Sequence, residues 1–197
     1  MFRVFQAAIL VIAVSAAPAL AQDSLSGTIK GMEGSTLTIT GKDGINANVM
    51  IGADTKVIGL TAAKLTDVKV GDFVGVGSIP GADGGQNAVE ITIFPAAMAG
   101  TGEGSYPWET QPQGTMTNAT VSNAVTTVGA NSLTLKYAGG EKTVAIPPEI
   151  PVVLIGAATV ADLVSGAAVK VAGAKDATGA MVAKFVIVGR DGVVPPM

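Results

Sequence analysis

The chain has 197 residues, 48% of them hydrophobic and 14% charged, with 26 Gly, 10 Pro and a formal net charge of −3. Having neither Cys nor His excludes a disulfide framework, a thiol nucleophile, imidazole or thiolate metal sites and the usual catalytic triad. A balance of 12 basic against 15 acidic residues argues against nucleic acid as a partner.

In chain order, residues 1–21 read as a secretory signal peptide. Arg3 supplies a positive n-region, Val4 to Val14 an apolar run broken only by Gln6, and Ala19-Leu20-Ala21 an A-x-A cleavage site. Cleavage after Ala21 is expected to release a periplasmic chain with 11 basic against 15 acidic groups. No later segment holds the ~18 uninterrupted apolar residues of a spanning helix. The nearest, Ile150 to Ala161, is interrupted by Pro151 and Gly156, so no membrane span is expected after cleavage.

The next stretch alternates apolar and polar residues over Leu25 to Lys30 and Thr36 to Thr40, across a Glu33-Gly34 turn, as half-buried strands do. A Lys42-Asp43-Gly44 turn leads into a third strand, Ala47 to Ile51. Thr61 to Val68 reads as a brief helix, Lys69 to Ser78 as a fourth strand, and Ala88 to Phe94 as a fifth after a Gly-rich hairpin turn. The second half repeats this order: Thr120 to Thr126, Ser132 to Tyr137, Lys142 to Ile146, a short helix near Ala157 to Val164, then Ala168 to Ala172 and Val182 to Gly189.

A shift of 95 residues superposes the halves. It places Ala62, Ala63, Asp67 and Gly71 on Ala157, Ala158, Asp162 and Gly166, and Val74 and Val76 on Val169 and Val171. The expected fold is therefore all-β: two tandem small OB-like, partly closed β-barrels of about five strands each, with one short helix per repeat. Residues 22–94 form the first repeat and 119–190 the second. Residues 95–118 are a Gly/Pro-rich linker, and 191–197 a C-terminal tail. A single sandwich built from both halves is the alternative. Asp67 and Asp162 occupy equivalent places, which points to a structural role in anchoring the turns before Gly71 and Gly166.

The linker carries the only Trp, Trp108, beside Tyr106, Glu103 and Glu109. These four are the candidate contacts for a ligand or partner, as an aromatic-plus-carboxylate surface suited to a glycan, peptide or cation. The structural alternative is that Tyr106 and Trp108 plug the joint between the barrels. No catalytic residues, metal ligands or cofactor motif are assigned. The Gly100, Gly102, Gly104 series lacks the strand and helix of a dinucleotide fingerprint, and no D-x-[DN]-x-[DN]-G calcium loop appears. A glycosidase would need two carboxylates held roughly 5–10 Å apart, which a flexible linker holds poorly.

The stretch Leu65-Thr66-Asp67-Val68-Lys69-Val70-Gly71-Asp72-Phe73-Val74-Gly75-Val76-Gly77, followed by Ala88-Val89-Glu90-Ile91, resembles exported bacterial proteins with a small β-barrel domain of unknown function. The resemblance covers most of residues 24–94 and is looser over 118–190, where Gly166-Ala167 replaces the Gly71-Asp72 corner. The segment from Gly102 to Glu109 resembles tandem relatives, some labelled as metal ABC transporter permeases. This chain lacks a permease's set of spanning helices, and Ser105 stands where the relatives often carry a His. The resemblance implies the fold and export but no activity. The expected function is a non-enzymatic periplasmic binding or scaffold module of the cell envelope, with an envelope protein or a glycan as partner. The alternatives are a metal- or small-ligand-binding accessory of a transport system and a carboxylate-dependent carbohydrate-active enzyme.

Overall fold

A computed structural model describes residues 23–108, 111–127 and 130–195. The signal-peptide assignment to residues 1–21 and the candidate contact Glu109 lie outside these residues. Among the described residues there are twelve strands: β1 (Asp23–Glu33), β2 (Thr36–Gly41), β3 (Asn46–Ala62), β4 (Phe73–Pro80), β5 (Gln86–Ile93), β6 (Gly104–Pro107), β7 (Thr115–Thr127), β8 (Ala130–Tyr137), β9 (Gly140–Ile146), β10 (Val152–Ala157), β11 (Ala168–Lys175) and β12 (Met181–Gly189). None of the described helices is long and apolar enough to cross a membrane.

Five strands close into a mixed barrel in the order β12-β11-β1-β2-β3, and the parallel pairing of β12 with β3 completes the ring. Alternation explains its interior. Leu37, Ile39, Val49, Val171, Val186 and Val188 are wholly buried inside it, while Thr36, Thr38 and Thr40 face outward on β2. The ring closes despite a mismatch in strand length. Residues 52–55 of β3 loop out between its pairing with Ala183 and its pairing with Phe185. Thr55 stitches this bulge, accepting from Gly52 N–H at 2.9 Å and donating to the Ala183 carbonyl at 2.8 Å.

The other seven strands lie outside the barrel. Hairpin β4–β5 pairs through β4 with β7, and β7, β8 and β9 follow in antiparallel order. These strands enclose a second apolar cluster that includes Val74, Val76, Ile91, Leu133, Leu135 and Val144. One bridge, Asn87 to Ala145, joins β5 to β9. Strand β10 ties this group to the barrel, pairing antiparallel with the end of β3 and parallel with β5.

Two expectations are corrected. The closed barrel takes three strands from residues 23–62 and two from residues 168–189, whereas the sequence grouping joined residues 73–93 to the first three strands. Each hairpin β4–β5 and β11–β12 instead leaves its own half of the chain and pairs with the other half's first strand, β7 and β1 respectively. The two expected short helices are also absent from the described residues. Only three-residue 3-10 turns stand there, Leu65–Asp67 and Val160–Asp162. Thr61 and Ala62 remain in β3 and Ala157 in β10, because pairing between those two strands claims their backbone groups.

The two turns are built alike. Asp67 accepts from the Lys64 N–H at 2.8 Å, and Asp162 accepts from the Thr159 N–H at 2.8 Å. After each turn comes a glycine in the left-handed region, Gly71 at φ 97° and Gly166 at φ 89°. Their N–H groups donate to the Val121 and Ile29 carbonyls, which docks each turn on the neighbouring strand. Asp162 also holds Arg190, whose Nη2 and Nε lie 2.8 and 3.0 Å from Oδ1. The Thr159 N–H, with Arg190 second, keeps the Asp162 carboxyl below the ordinary Asp range. Asp67→Asn and Asp162→Asn are both expected to lower the thermal midpoint, with the larger drop for Asp162→Asn because Arg190 loses its counter-ion. Equal drops, measured by circular dichroism melting, would remove Arg190 from this account.

Candidate functional site

On β4 the side chains of Val74 and Val76 point into the core, so Gly75 and Gly77 fall on the outer face of the strand. The missing side chains make a trough that aromatic rings fill. A Cβ on Gly77 would stand 2.8 Å from the Trp108 ring, and one on Gly75 would stand 3.2 Å from Phe94. The glycines of this strand, which match no nucleotide-binding motif, therefore make room for packing.

The segment after β5 folds back over that trough. Strand β6 pairs with the start of β7, from Gly104–Asn118 to Pro107–Thr115. A polar seam fixes it: Lys142 Nζ donates to Ser105 Oγ at 3.2 Å, and Ser105 Oγ lies 3.0 Å from Thr117 Oγ1. Burial lowers the Lys142 pKa. Asn118 Nδ2 donates to the Tyr106 hydroxyl at 2.9 Å, which ties the phenol to β7 beside Gly75. The Trp108 N–H donates to the Gly114 carbonyl at 2.8 Å, so the indole is held from its own backbone.

The result is a cleft of about 330 Å³ at the junction between the closed barrel and the outer strands. Phe94, Tyr106 and Trp108 form one side, with Met98 and Met116. Leu60, Ile155 and Ile187, from β3, β10 and β12, form the other. Two charged residues reach this largely apolar space: Glu90 from β5 and Lys170 from β11. Glu90 is only 8% exposed, and burial pushes its carboxyl up to about 7 against a smaller opposing pull from Lys170. The two are not within 4.0 Å of each other, and neither side chain has a hydrogen-bond partner among the described residues.

Of the contacts expected from the sequence, Tyr106 and Trp108 line this cleft. Glu103 does not. Its carboxylate is exposed and accepts from the Ala138 N–H at 3.0 Å, pinning the start of β6 to the turn after β8. Trp108 covers Gly77 with one edge and is half-buried at the cleft. Sequence reasoning missed Glu90, Lys170 and Phe94. The available signal was Glu90 itself, a lone acid between Ala88 and Ile93 in an otherwise apolar-rich strand. Among the described residues no three Asp or Glu side chains gather as a metal site would require.

No family model, curated protein or solved structure matches the chain. The small β-barrel is shown by the strand pairing itself, and no family or homologue is identified.

Proposed function

We propose that the protein is an exported, non-enzymatic binding module of the bacterial cell envelope whose ligand site is the junction cleft. The observation that carries this reading is Glu90, only 8% exposed and without a hydrogen-bond partner among the described residues, whose carboxylate meets solvent only at a cleft walled mainly by aromatic, methionine and isoleucine side chains. Leaving a carboxylate in such surroundings is costly unless something occupies the space beside it. Its volume of about 330 Å³ suits a small molecule and is too small for a folded partner. Export is supported by the charge, apolar run and A-x-A pattern of residues 1–21.

In the same reading, the chain is a duplication in which two barrel-type units have exchanged hairpins. The pairings of the second group mirror those of the closed barrel: β7, β8, β9, β5 and β4 stand for β1, β2, β3, β12 and β11. Positions 95 residues apart recur in the registers. The bulge at Gly77/Ser78 matches that at Ala172/Gly173, and the pair Val152–Ile91 matches Val57–Val186. Strands β3 and β10 meet with Leu60 opposite Ile155, as a pseudo-two-fold axis between the halves requires. The cleft lies on that axis, where one linker covers one side only.

The test is native mass spectrometry of the full-length chain expressed in a bacterial host and isolated from its periplasm. The expected result is a mass beginning at Gln22 with a noncovalent small-molecule adduct. A Trp108→Ala, Glu90→Gln double variant should lose the adduct. A protein retained in the cytoplasm with residues 1–21 intact would overturn the export reading. A bare mass from the periplasm would count against a tightly held ligand.

A further inference from the structure

We propose that the junction cleft takes a small zwitterion with an apolar body, its ammonium group at the Glu90 carboxylate and its carboxylate group at the Lys170 ammonium. The inference rests on the cleft being a ligand site and assigns the chemistry of what it holds.

The two charges reach the cleft from opposite parts of the fold. Glu90 lies on β5, in the outer group, and Lys170 on β11, in the closed barrel. They are near enough for Lys170 to be felt at Glu90, yet no ion pair forms between them. The space they share is walled by Leu60, Ile155 and Ile187. A neutral apolar molecule there would leave Glu90 and the half-buried Lys170 without partners, and a molecule of single charge would meet only one of them. A zwitterion satisfies both at once. Phe94, Tyr106 and Trp108 in the same lining supply aromatic rings of the kind that attract an ammonium group.

The repeat sharpens the point. Ninety-five residues away, the position of Lys170 is Gly75 and that of Glu90 is Phe185. Neither charge is thus part of the repeated barrel pattern. Each appears once, and both line the same cleft. A charge kept only for solubility would belong on an exposed face, where Lys64 and Lys69 stand.

The experiment titrates the mature chain with ligands that share a body and differ in charge. The series are L-phenylalanine and L-leucine, their decarboxylated amines and deaminated acids, and the neutral 3-phenyl-1-propanol. Trp108 is the only Trp, so its emission reports the cleft directly, and calorimetry gives the affinity. At least one amino acid should bind about tenfold or more tighter than its amine and its acid, the scale of one charge-assisted contact at each end. Glu90→Gln should abolish the preference over the acid, and Lys170→Met the preference over the amine. The wild-type series keeps the test decisive if either variant fails to fold. Equal binding of the neutral alcohol and the amino acids would overturn the zwitterion while leaving a small-molecule cleft. Binding by none of the compounds at millimolar concentration would overturn the zwitterion and the small-molecule cleft together.

Discussion

Replacing Glu90 with Gln stabilises the protein at pH 8 and flattens the pH dependence of its stability. The sign follows from where the proton sits. Burial raises the Glu90 carboxyl from 4.5 to about 7 in the folded chain, so between those values the folded state holds a proton that the unfolded state has released. Stability is therefore greatest below pH 4.5 as far as this group is concerned, and falls as pH rises through about 7. The full difference is roughly 2–3 kcal/mol, since each pKa unit is worth about 1.4 kcal/mol and cleft water softens the burial. Glutamine has nearly the same shape and never ionises. Urea unfolding at pH 5 and pH 8 should show the wild type losing stability across that interval and the variant holding it. Parallel losses in the two proteins would mean that Glu90 is solvated in the folded chain.

Gly173→Ala should be among the most damaging single-methyl additions in the barrel, while Gly31→Ala should be nearly silent. Both glycines stand at register shifts, Gly173 in β11 against β12 and Gly31 in β1 against β2. A Cβ on Gly173 would run into the Val182 carbonyl, which is backbone and cannot rotate aside. A Cβ on Gly31 would meet nothing within 4 Å. Forcing the β11–β12 hairpin apart at its bulge is expected to cost about 3 kcal/mol or more, against roughly 0.5 kcal/mol in either direction for Gly31. Chemical denaturation midpoints of the two variants measure the contrast. Similar midpoints would show that the hairpin can shift its register to admit the methyl.

Strand positions were legible wherever one face of a strand meets a core. Leu37 and Ile39 alternate with Thr36, Thr38 and Thr40, and the structure places β2 across Thr36–Gly41. Legibility failed where a strand lies between two packed bodies. Val57-Ile58-Gly59-Leu60 and Val152-Val153-Leu154-Ile155 do not alternate, because both of their faces are covered in part, and these are the end of β3 and β10. The same failure hid the cleft, since these two strands form its floor. The pairing of β4 with β7 and of β11 with β1 was invisible for another reason. Whether β4 and β5 pair with their own half or the other depends on the long stretch that continues β3, and local patterning is silent on partners of such sequence separation. The aromatic half of the site was readable from composition, because Tyr106 and Trp108 stand out in a chain with 4% aromatics. The charged half was not, because Glu90 and Lys170 are 80 positions apart in the sequence.

The parallel seam between β3 and β12 makes the barrel a late event in the life of the chain. Its partners are far apart, Val49 with Met181 and Leu60 with Gly189. Until β10, β11 and β12 are synthesised, β1, β2 and β3 form an open three-stranded meander with two free edges and an uncovered apolar face. Closing so long a loop delays the reward of contact until most of the entropy has been lost, which slows folding. The closing step, the seating of β12 between β11 and β3, joins residues from both ends of the chain at once. Truncation before Met181 should therefore give a sticky, unclosed sheet instead of a smaller barrel.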